Sequence, residues 1–294
     1  MEFIKTKTIL TKARYGDQWY DIDYNMNLYK GCPHGCIYCD SRSLCYHIEN
    51  FDIVRGKEDA LIILEKELMR KRQKGVVGIG AMSDTYHPLE RKYKQTRNAL
   101  KLLERYGFGV SIDTKSDLIL RDIDLLKKIN LKSLVIIKFT ITIPYDDLSK
   151  IIEPHVCVSS QRFNAIKNLS QQGLFVGVMM NPVLPFVTDQ EDDMKTLVHL
   201  TATHGAKFIH TYMSMTLRNI QREHYYKCLD QNFPGIKEKY IQNYGNQYQC
   251  YPKHAQKLYQ IFCNECEKYG LLYQMSDIIK AYKKEKRFEQ ISLF

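Results

Sequence analysis

The chain has 294 residues, of which 44% are hydrophobic and 26% charged, an ordinary composition for a soluble globular protein. It contains no apolar run long enough to cross a bilayer, and its N-terminus lacks the apolar core of a signal peptide, so we expect a cytoplasmic protein with no membrane partner. The net charge of +10 favours nucleic acid as a partner, the alternative being a solvated lysine-rich surface.

Short apolar runs alternate with amphipathic helical patterns between residues 24 and 215. This alternation predicts a parallel sheet with helices on its outside. The predicted strands are Asn25–Tyr29, Gly75–Met82, Gly107–Thr114, Ser133–Ile143, Leu174–Met180 and Ala206–Met213. The predicted helices are Glu58–Lys74, Thr96–Tyr106, Ser160–Gln172 and Asp189–His204. Six βα units in series predict the α/β class and a partial (β/α)6 TIM-like barrel.

The pattern changes from Leu217 onward, where tyrosine and lysine become dense and strand signals vanish. Ala255–Tyr269 and Asp277–Lys286 have helical patterns. We therefore divide the chain into an N-terminal extension (1–23), a core barrel (24–216) and a helical C-terminal extension (217–294).

Nine cysteines, an odd number, indicate metal binding or catalysis rather than disulfides in a cytosolic chain. Cys32, Cys36 and Cys39 are spaced so that they can converge from one loop on a single metal centre. Three thiolates are one short of an ordinary iron–sulfur or structural zinc site, which leaves a position open for a small molecule. The alternative is a zinc site completed by His34 or Cys45.

The active site of a parallel barrel lies at the carboxyl ends of its strands. This rule selects polar residues that follow the second to fifth predicted strands: Ser83, Asp84, Thr114, Lys115, Ser116, Thr140, Thr142 and Asn181. Ser83 and Asp84 have turn capping as their alternative role, and Lys115 an exposed surface position. Arg162, at the start of a predicted helix, is a candidate anion-binding residue or an exposed arginine.

The C-terminal extension holds three further cysteines, Cys250, Cys263 and Cys266. They are candidates for a second cluster or, alternatively, buried thiols that pack as small hydrophobic groups. The tyrosines of this extension either stack on bases or pack between helices.

The CxxxCxxC spacing with Tyr38 before the third cysteine resembles the signature of the radical S-adenosylmethionine (radical SAM) superfamily. Further stretches resemble its spore photoproduct lyase-like branch, which includes the radical SAM mobile-pair proteins. These stretches are Met82–Glu90, Thr114–Ser116, Leu120–Leu126, Ile152–Pro154, Asn181–Pro185 and Phe233–Gly235. The resemblance covers nearly the whole chain.

The resemblance implies a [4Fe–4S] cluster on Cys32, Cys36 and Cys39, with S-adenosylmethionine as the second cofactor. It implies reductive cleavage of that cofactor, an electron donor such as flavodoxin or ferredoxin, and hydrogen abstraction from an organic substrate, with nucleic acid a candidate.

Within the site, the resemblance implies that Tyr38 and the strand-end residues bind the cofactor. Asp84 takes the place of the commoner Gly-Gly-Glu motif, and Lys115 and Arg162 meet anionic groups.

Thymine photodimer repair is one version of this function and requires a cysteine hydrogen donor, for which Cys45 and Cys157 are the candidates. The competing hypothesis is a zinc-stabilised nucleic-acid-binding module without catalysis.

Overall fold

Strands and helices alternate along the protein in a computed structural model that describes residues 1–14 and 16–291. The strands are β1 (Glu2–Ile4), β2 (Leu10–Lys12), β3 (Tyr24–Met26), β4 (Tyr29–Lys30), β5 (Arg55–Lys57), β6 (Val76–Ile79), β7 (Gly109–Thr114), β8 (Val135–Thr140), β9 (Phe175–Met179), β10 (Phe208–His210), β11 (Met215–Thr216) and β12 (Gln249–Cys250). The helices are α1 (Ala60–Arg70), α2 (Glu90–Tyr93), α3 (Gln95–Tyr106), α4 (Ile123–Lys132), α5 (Asp146–Ile152), α6 (Ser159–Gln171), α7 (Glu191–Thr203), α8 (Asn219–Asn232), α9 (Ile236–Tyr244), α10 (Ala255–Tyr269) and α11 (Met275–Ile291).

The main sheet has the strand order β10-β9-β8-β7-β6-β3-β2 within the described residues. Strands β3, β6, β7, β8, β9 and β10 run parallel to one another, whereas β2 pairs antiparallel with β3. Six parallel strands in chain order, linked through helices, confirm the predicted α/β class and partial barrel. The carboxyl ends of these strands therefore meet at one edge, where the site lies.

The first predicted strand, Asn25–Tyr29, is wrong as a single element. The chain pairs with β6 through Met26 and then leaves the main sheet, because Tyr29 pairs antiparallel with Gly56 of β5. Helix α4 was not predicted, although it buries Leu125, Leu126 and Ile129 against the barrel. The remaining predicted strands are present but shorter.

Strand β8 shows why the centre of the sheet was readable from the sequence. All six of its residues, Val-Ile-Ile-Lys-Phe-Thr, are buried, as expected for a parallel strand covered on both faces. Burial of such side chains contributes about 1.5–3 kcal/mol each for Val, Ile and Phe. The exception is Lys138, a cation in the middle of this apolar strand.

The N-terminal segment shares the sheet and the core with the barrel. Strand β2 forms the edge of the main sheet, and Tyr20 is fully buried with its ring 5.8 Å from that of Phe208 in β10. The ammonium of Lys138 lies 4.4 Å from the centre of the Tyr20 ring. Strand β2 and Tyr20, both within the predicted N-terminal extension, thus pack against the barrel.

The C-terminal segment is mainly helical, as predicted, and α10 has the predicted bounds, Ala255–Tyr269. Cys263 and Cys266 lie in the main core, whereas Cys250 belongs to a separate apolar cluster. The three cysteines therefore do not form one site, and they pack as small hydrophobic groups. Tyr225 and Tyr240 are buried between α8 and α9, with a hydrogen bond of 3.1 Å between their hydroxyls.

Among the described residues, none of the helices combines the length and the hydrophobicity that crossing a bilayer requires.

Candidate active site

The cysteine loop begins at Gly31, whose backbone has a φ of +83°. A Cβ at this position would lie 2.5 Å from the carbonyl oxygen of Ile53, so the close approach of the two chain segments requires glycine. The next residue, Cys32, donates its backbone N–H to the carbonyl of Phe51 at 2.8 Å. The segment around residues 51–53 thus holds the entrance of the loop.

Contacts from distant parts of the chain hold the rest of the loop. Ile37 donates its backbone N–H to the carbonyl of Ile152 at 3.0 Å, and the Gln221 side chain donates to the carbonyl of Tyr38 at 3.1 Å. Within the loop, Cys39 N–H donates to the Cys36 carbonyl at 3.2 Å. These bonds fix the loop backbone before any cofactor binds.

One cavity brings the loop and the strand ends together. It is lined by Trp19, Cys32, His34, Cys36, Cys39, Ser41, Gly80, Ala81, Met82, Ser83, Asp84, Asp113, Thr114, Lys115, Thr140 and Met179. The thiols among the described lining residues are those of the three loop cysteines. The cavity therefore contains the three predicted cluster ligands and five of the predicted strand-end residues, namely Ser83, Asp84, Thr114, Lys115 and Thr140.

Asp84 is the most heavily bonded polar side chain of the cavity. Its Oδ1 accepts hydrogen bonds from the Tyr86 N–H and the Thr114 hydroxyl, both at 2.9 Å, and its Oδ2 accepts one from the Lys115 N–H at 2.7 Å. His34 Nδ1 lies 3.6 Å from Oδ2. The Asp84 carboxylate caps its turn, which was its alternative role in the sequence analysis. It also faces the cavity.

Ser83 ties the end of β6 to the cysteine loop. Its hydroxyl donates to the carbonyl of Gly31 at 2.5 Å. Gly80, three residues earlier, has a φ of +96° and packs against the backbone of Asp113, so that β6 and β7 approach each other closely beneath the cavity. Ser83 therefore positions the loop in addition to lining the cavity.

Burial and nearby charges determine the ionisation of the thiols. Burial raises the pKa of the Cys36 and Cys39 thiols, and the Lys115 ammonium opposes that rise. For Cys32, burial and the neighbouring Asp84 raise the pKa to about 12. Thiols of this kind lose their protons when metal binds, because the metal favours the thiolate.

Lys115 is a cation that lines the same cavity as the thiols. Burial disfavours its charge, but Cys36 in its thiolate form, Glu153 and other negative groups outweigh burial and raise its pKa. The side chain is half-buried, with its ammonium 5.8 Å from the centre of the Tyr38 ring. An ammonium here offsets thiolate or carboxylate charge within the cavity.

Two predicted cofactor-binding residues, Tyr38 and Arg162, bond to a protein carboxylate instead of lining the cavity. The Tyr38 hydroxyl donates to Glu153 Oε1, and Arg162 Nη1 lies 2.5 Å from Glu153 Oε2. Arg162 is fully buried and also donates to the carbonyls of Cys157 and Thr140. The prediction of an anion site at Arg162 is therefore corrected. In the structure, the anion that Arg162 binds is the Glu153 carboxylate of the same chain.

Ser116 and Asn181 also lie outside the set of lining residues. Ser116 Oγ accepts a hydrogen bond from Leu118 N–H at 3.3 Å and so begins a helical turn. The Asn181 side-chain oxygen accepts from Tyr212 N–H at 2.9 Å and joins β9 to β10. Thr140 lines the cavity, whereas Thr142 is buried and is not a lining residue.

Sequence reasoning missed Trp19 and the pair Asp113–Lys138. Trp19, the single tryptophan of the chain, lines the cavity and stacks on Tyr212 with ring centres 5.9 Å apart. Lys138 Nζ lies 3.1 Å from Asp113 Oδ1. Burial raises the pKa of Asp113 and lowers that of Lys138. Lys138 lies inside an apolar strand, and a buried ammonium needs a partner of opposite charge, so the sequence did contain a signal for this pair.

The two candidate hydrogen donors lie outside the lining of the cavity. The Cys157 thiol donates to the carbonyl of Lys115 at 3.0 Å, and exposed Cys45 accepts a hydrogen bond from Arg218 at 3.3 Å. Of the two, Cys157 is bonded to the backbone of a residue that lines the cavity, Lys115.

The profile of the Radical SAM superfamily matches residues 26–198. An uncharacterised protein of Methanocaldococcus jannaschii is 32% identical over 215 residues, which are 72% of this chain and 76% of the relative. An uncharacterised protein of Mycobacterium tuberculosis is 27% identical over 228 residues, which are 75% of this chain and 67% of the relative.

Two solved structures share the fold. Spore photoproduct lyase complexed with dinucleoside spore photoproduct has a TM-score of 0.68 at 14% identity, covering 93% of this chain and 81% of that chain. The radical S-adenosylmethionine methyltransferase TsrM from Kitasatospora setae has a TM-score of 0.57 at 9% identity, covering 90% and 62% respectively.

The fold and cavity define a partial parallel barrel with a cysteine-lined site at its carboxyl edge. The chain belongs to the Radical SAM superfamily, whose members use a [4Fe–4S] cluster and S-adenosylmethionine. The donor set fits these cofactors, because three thiols of one loop, a carboxylate and an ammonium face one cavity. Family membership sets aside the zinc-stabilised module.

Proposed function

We propose that this protein is a radical SAM enzyme in which Cys32, Cys36 and Cys39 hold the cluster. The observation that carries the proposal is the single cavity that collects these three thiols together with Asp84 and Lys115. When bound, the cluster supplies the electron that cleaves S-adenosylmethionine to methionine and a 5′-deoxyadenosyl radical, which abstracts hydrogen from the substrate. The protein binds and orients the reactants and excludes water.

In this proposal the strand ends recognise the amino-acid part of S-adenosylmethionine. Asp84 carries the negative charge that attracts the cofactor ammonium, and the half-buried Lys115 attracts its carboxylate. Thr140 adds a hydroxyl at the end of the next strand. The hydrogen bonds that Asp84 already accepts hold its carboxylate in one orientation, so little side-chain freedom is lost on binding.

Four of the predicted cofactor-binding residues do not contact the cofactor in this proposal. They are Tyr38, Ser116, Arg162 and Asn181. Tyr38 and Arg162 hold the loop and the end of β8 through Glu153, whereas Ser116 and Asn181 hold the strand-end turns. They are positioning residues, because the structure bonds each of them to protein groups.

Nucleic acid is the substrate class that we propose. The chain carries a net charge of +10, and the lyase that shares its fold was solved with a dinucleoside lesion. Lesion repair of the lyase type is one version of this activity. That version would draw its hydrogen donor from Cys157, which needs to move past the Lys115 backbone to reach the cavity.

The test is anaerobic turnover of the reconstituted, reduced protein with S-adenosylmethionine. We expect formation of 5′-deoxyadenosine, and deuterium transfer into it from the correct labelled oligonucleotide, both detected by mass spectrometry. Cys36→Ala is the matched inactive control. A cluster-loaded preparation that never forms 5′-deoxyadenosine would contradict the enzymatic activity, whereas cleavage without transfer from any nucleic acid would contradict only the substrate class.

A further inference from the structure

A second cavity, beside the cavity of the candidate active site, is lined by three lysines. These are Lys5, Lys30 and Lys57, and we refer to this cavity as the lysine pocket. Its volume of about 320 Å³ is at the small end of the range for ligand pockets. Met82 and Ser83 line both cavities, so the short stretch of chain that follows β6 separates one from the other.

A small three-stranded sheet brings the lysines together. Strand β5 pairs parallel with β1 and antiparallel with β4. Lys57 is paired with Ile4, the last residue of β1, and Lys5 follows directly. Lys30 lies opposite Arg55, two residues before Lys57. Because alternate residues of a strand point to the same face, Lys30 and Lys57 lie on one face of this sheet.

The protein does not balance the positive charge of the lysine pocket. Within the described residues, no carboxylate lines the pocket and no ion pair includes any of its three lysines. Lys30 and Lys57 are half-buried. Burial and the Lys30 ammonium lower the pKa of Lys57, whereas the Glu67 carboxylate opposes them. Two half-buried ammonium groups without a counter-ion destabilise each other, and a bound anion would relieve this repulsion.

The hydrogen-bond donors of the pocket suit an anion with several oxygens. Each ammonium offers three N–H donors. Asn27 also lines the pocket, and its side-chain Nδ2 donates to the sulfur of Met82 at 3.8 Å, which is a weak acceptor. A phosphate group matches this set better than a carboxylate does, because it carries more negative charge and more acceptor oxygens.

The lysine pocket also adjoins the cysteine loop. Gly31 lines the pocket and its neighbour Cys32 lines the active-site cavity. The Ser83 hydroxyl donates to the Gly31 carbonyl across this boundary. A ligand with a phosphate in the pocket therefore lies beside the chain segment that carries the proposed cluster ligands.

We propose that the lysine pocket is a phosphate-binding site, with Lys30 and Lys57 as its main contacts. The phosphate belongs to a nucleic-acid backbone or to a small phosphorylated molecule, since both present the same oxygens to the lysines. The inference rests on the proposed function for the identity of the neighbouring cavity. Phosphate binding itself requires neither reduction of the cluster nor S-adenosylmethionine.

The test measures two probes on the cluster-loaded protein, without reductant and without S-adenosylmethionine. Binding of inorganic phosphate is followed by phosphorus NMR. Binding of a short fluorescent single-stranded oligonucleotide is followed by polarisation over a salt series. The variants are Lys30→Gln and Lys57→Gln. The matched control is Lys7→Gln, which makes the same charge change at an exposed lysine outside the pocket lining.

We expect each pocket variant to weaken phosphate binding about tenfold, as loss of one charge-assisted contact does. Melting temperature and iron content should equal or exceed the wild-type values, because each variant removes one of two repelling charges. If the phosphate belongs to nucleic acid, the slope of log affinity against log salt should fall by about 0.7 per lysine. Loss of phosphate binding with unchanged oligonucleotide affinity would assign the site to a small phosphorylated molecule.

Wild-type affinity for both probes in Lys30→Gln and Lys57→Gln would overturn the phosphate site. An equal loss in Lys7→Gln would also overturn it, because the effect would then come from net charge alone. So would the absence of detectable binding of either probe to the wild-type protein. A protein that binds phosphate as expected but never forms 5′-deoxyadenosine after reduction would instead contradict only the proposed function.

Discussion

The hydroxyl of Tyr38 donates a hydrogen bond to Glu153, which lies 115 positions further along the chain. The second oxygen of this carboxylate pairs with Arg162, so the residue before the third loop cysteine is fixed to α6 through one buried anion. The triad Tyr38–Glu153–Arg162 explains how a loop that binds a cofactor stays ordered where it meets the barrel.

Removing the charge of Glu153 alone is expected to lower the free energy of unfolding more than removing the charges of Glu153 and Arg162 together. Glu153→Gln leaves the Arg162 guanidinium buried without a counter-charge and should cost about 3–5 kcal/mol of unfolding free energy. Adding Arg162→Met to Glu153→Gln should recover part of that loss. Urea unfolding of the two single variants and the double variant measures the coupling. Additive losses would contradict the buried pairing.

Cys32→Ala, Cys36→Ala and Cys39→Ala are each expected to abolish cluster assembly, because two thiolates do not retain a cubane. The matched control is Cys45→Ala, which removes an exposed thiol from the neighbouring segment. Iron analysis after anaerobic reconstitution should give about four irons per chain in the wild type and the control. Retention of the full iron content in any loop variant would show that this thiol is not a ligand.

Asp84→Asn tests recognition of the S-adenosylmethionine ammonium. The amide keeps the shape of the side chain and can still accept from Thr114 and Tyr86, but it lacks the charge. We expect binding to weaken roughly tenfold to a hundredfold, since a charge-assisted hydrogen bond contributes about 1.5–3 kcal/mol. Anaerobic equilibrium dialysis with labelled cofactor measures the affinity, and iron content should not change.

The exposed Asp147→Asn is the matched control for this charge change. Equal affinity in Asp84→Asn and the wild type would leave turn capping as the role of Asp84. A parallel loss of melting temperature and iron would assign the effect to the loop instead.

The cluster motif and the strand ends were predictable because each is encoded locally. The spacing of Cys32, Cys36 and Cys39 is visible in eight residues, and Asp84 and Lys115 follow runs that read as buried strands. Parallel strands then bring these ends together without further information. The cavity accordingly contains all five residues.

Tertiary contacts decided the positions that sequence reasoning missed. Trp19 lies in a segment with no periodic pattern, and only the fold brings it to His210 of β10 and to the cavity. Arg162 looked like an anion-binding residue because its helix start is readable, whereas its partner Glu153 follows a different helix. No local pattern distinguishes a cation that meets a ligand from one that meets a carboxylate of the same chain.

His87 makes folding stability sensitive to acid. The side chain is 0% exposed, its ring lies 4.3 Å edge-on from that of Tyr29, and within the described residues neither ring nitrogen has a hydrogen-bond partner. Burial, opposed in part by Asp84, lowers the pKa of His87 to about 4, from an ordinary value of 6.5. The folded protein therefore binds fewer protons than the unfolded chain between these two values.

Stability from this residue is complete above pH 6.5 and is lost as the pH falls towards 4, by about 3 kcal/mol in total. His87→Phe keeps an aromatic ring against Tyr29 and removes the titration, so its free energy of unfolding should fall about 3 kcal/mol less than that of the wild type between pH 7 and pH 4. Urea unfolding at several pH values provides the comparison, with His199→Phe, at an exposed position, as the matched control. Parallel pH profiles for the wild type and His87→Phe would show that His87 is not the group that titrates.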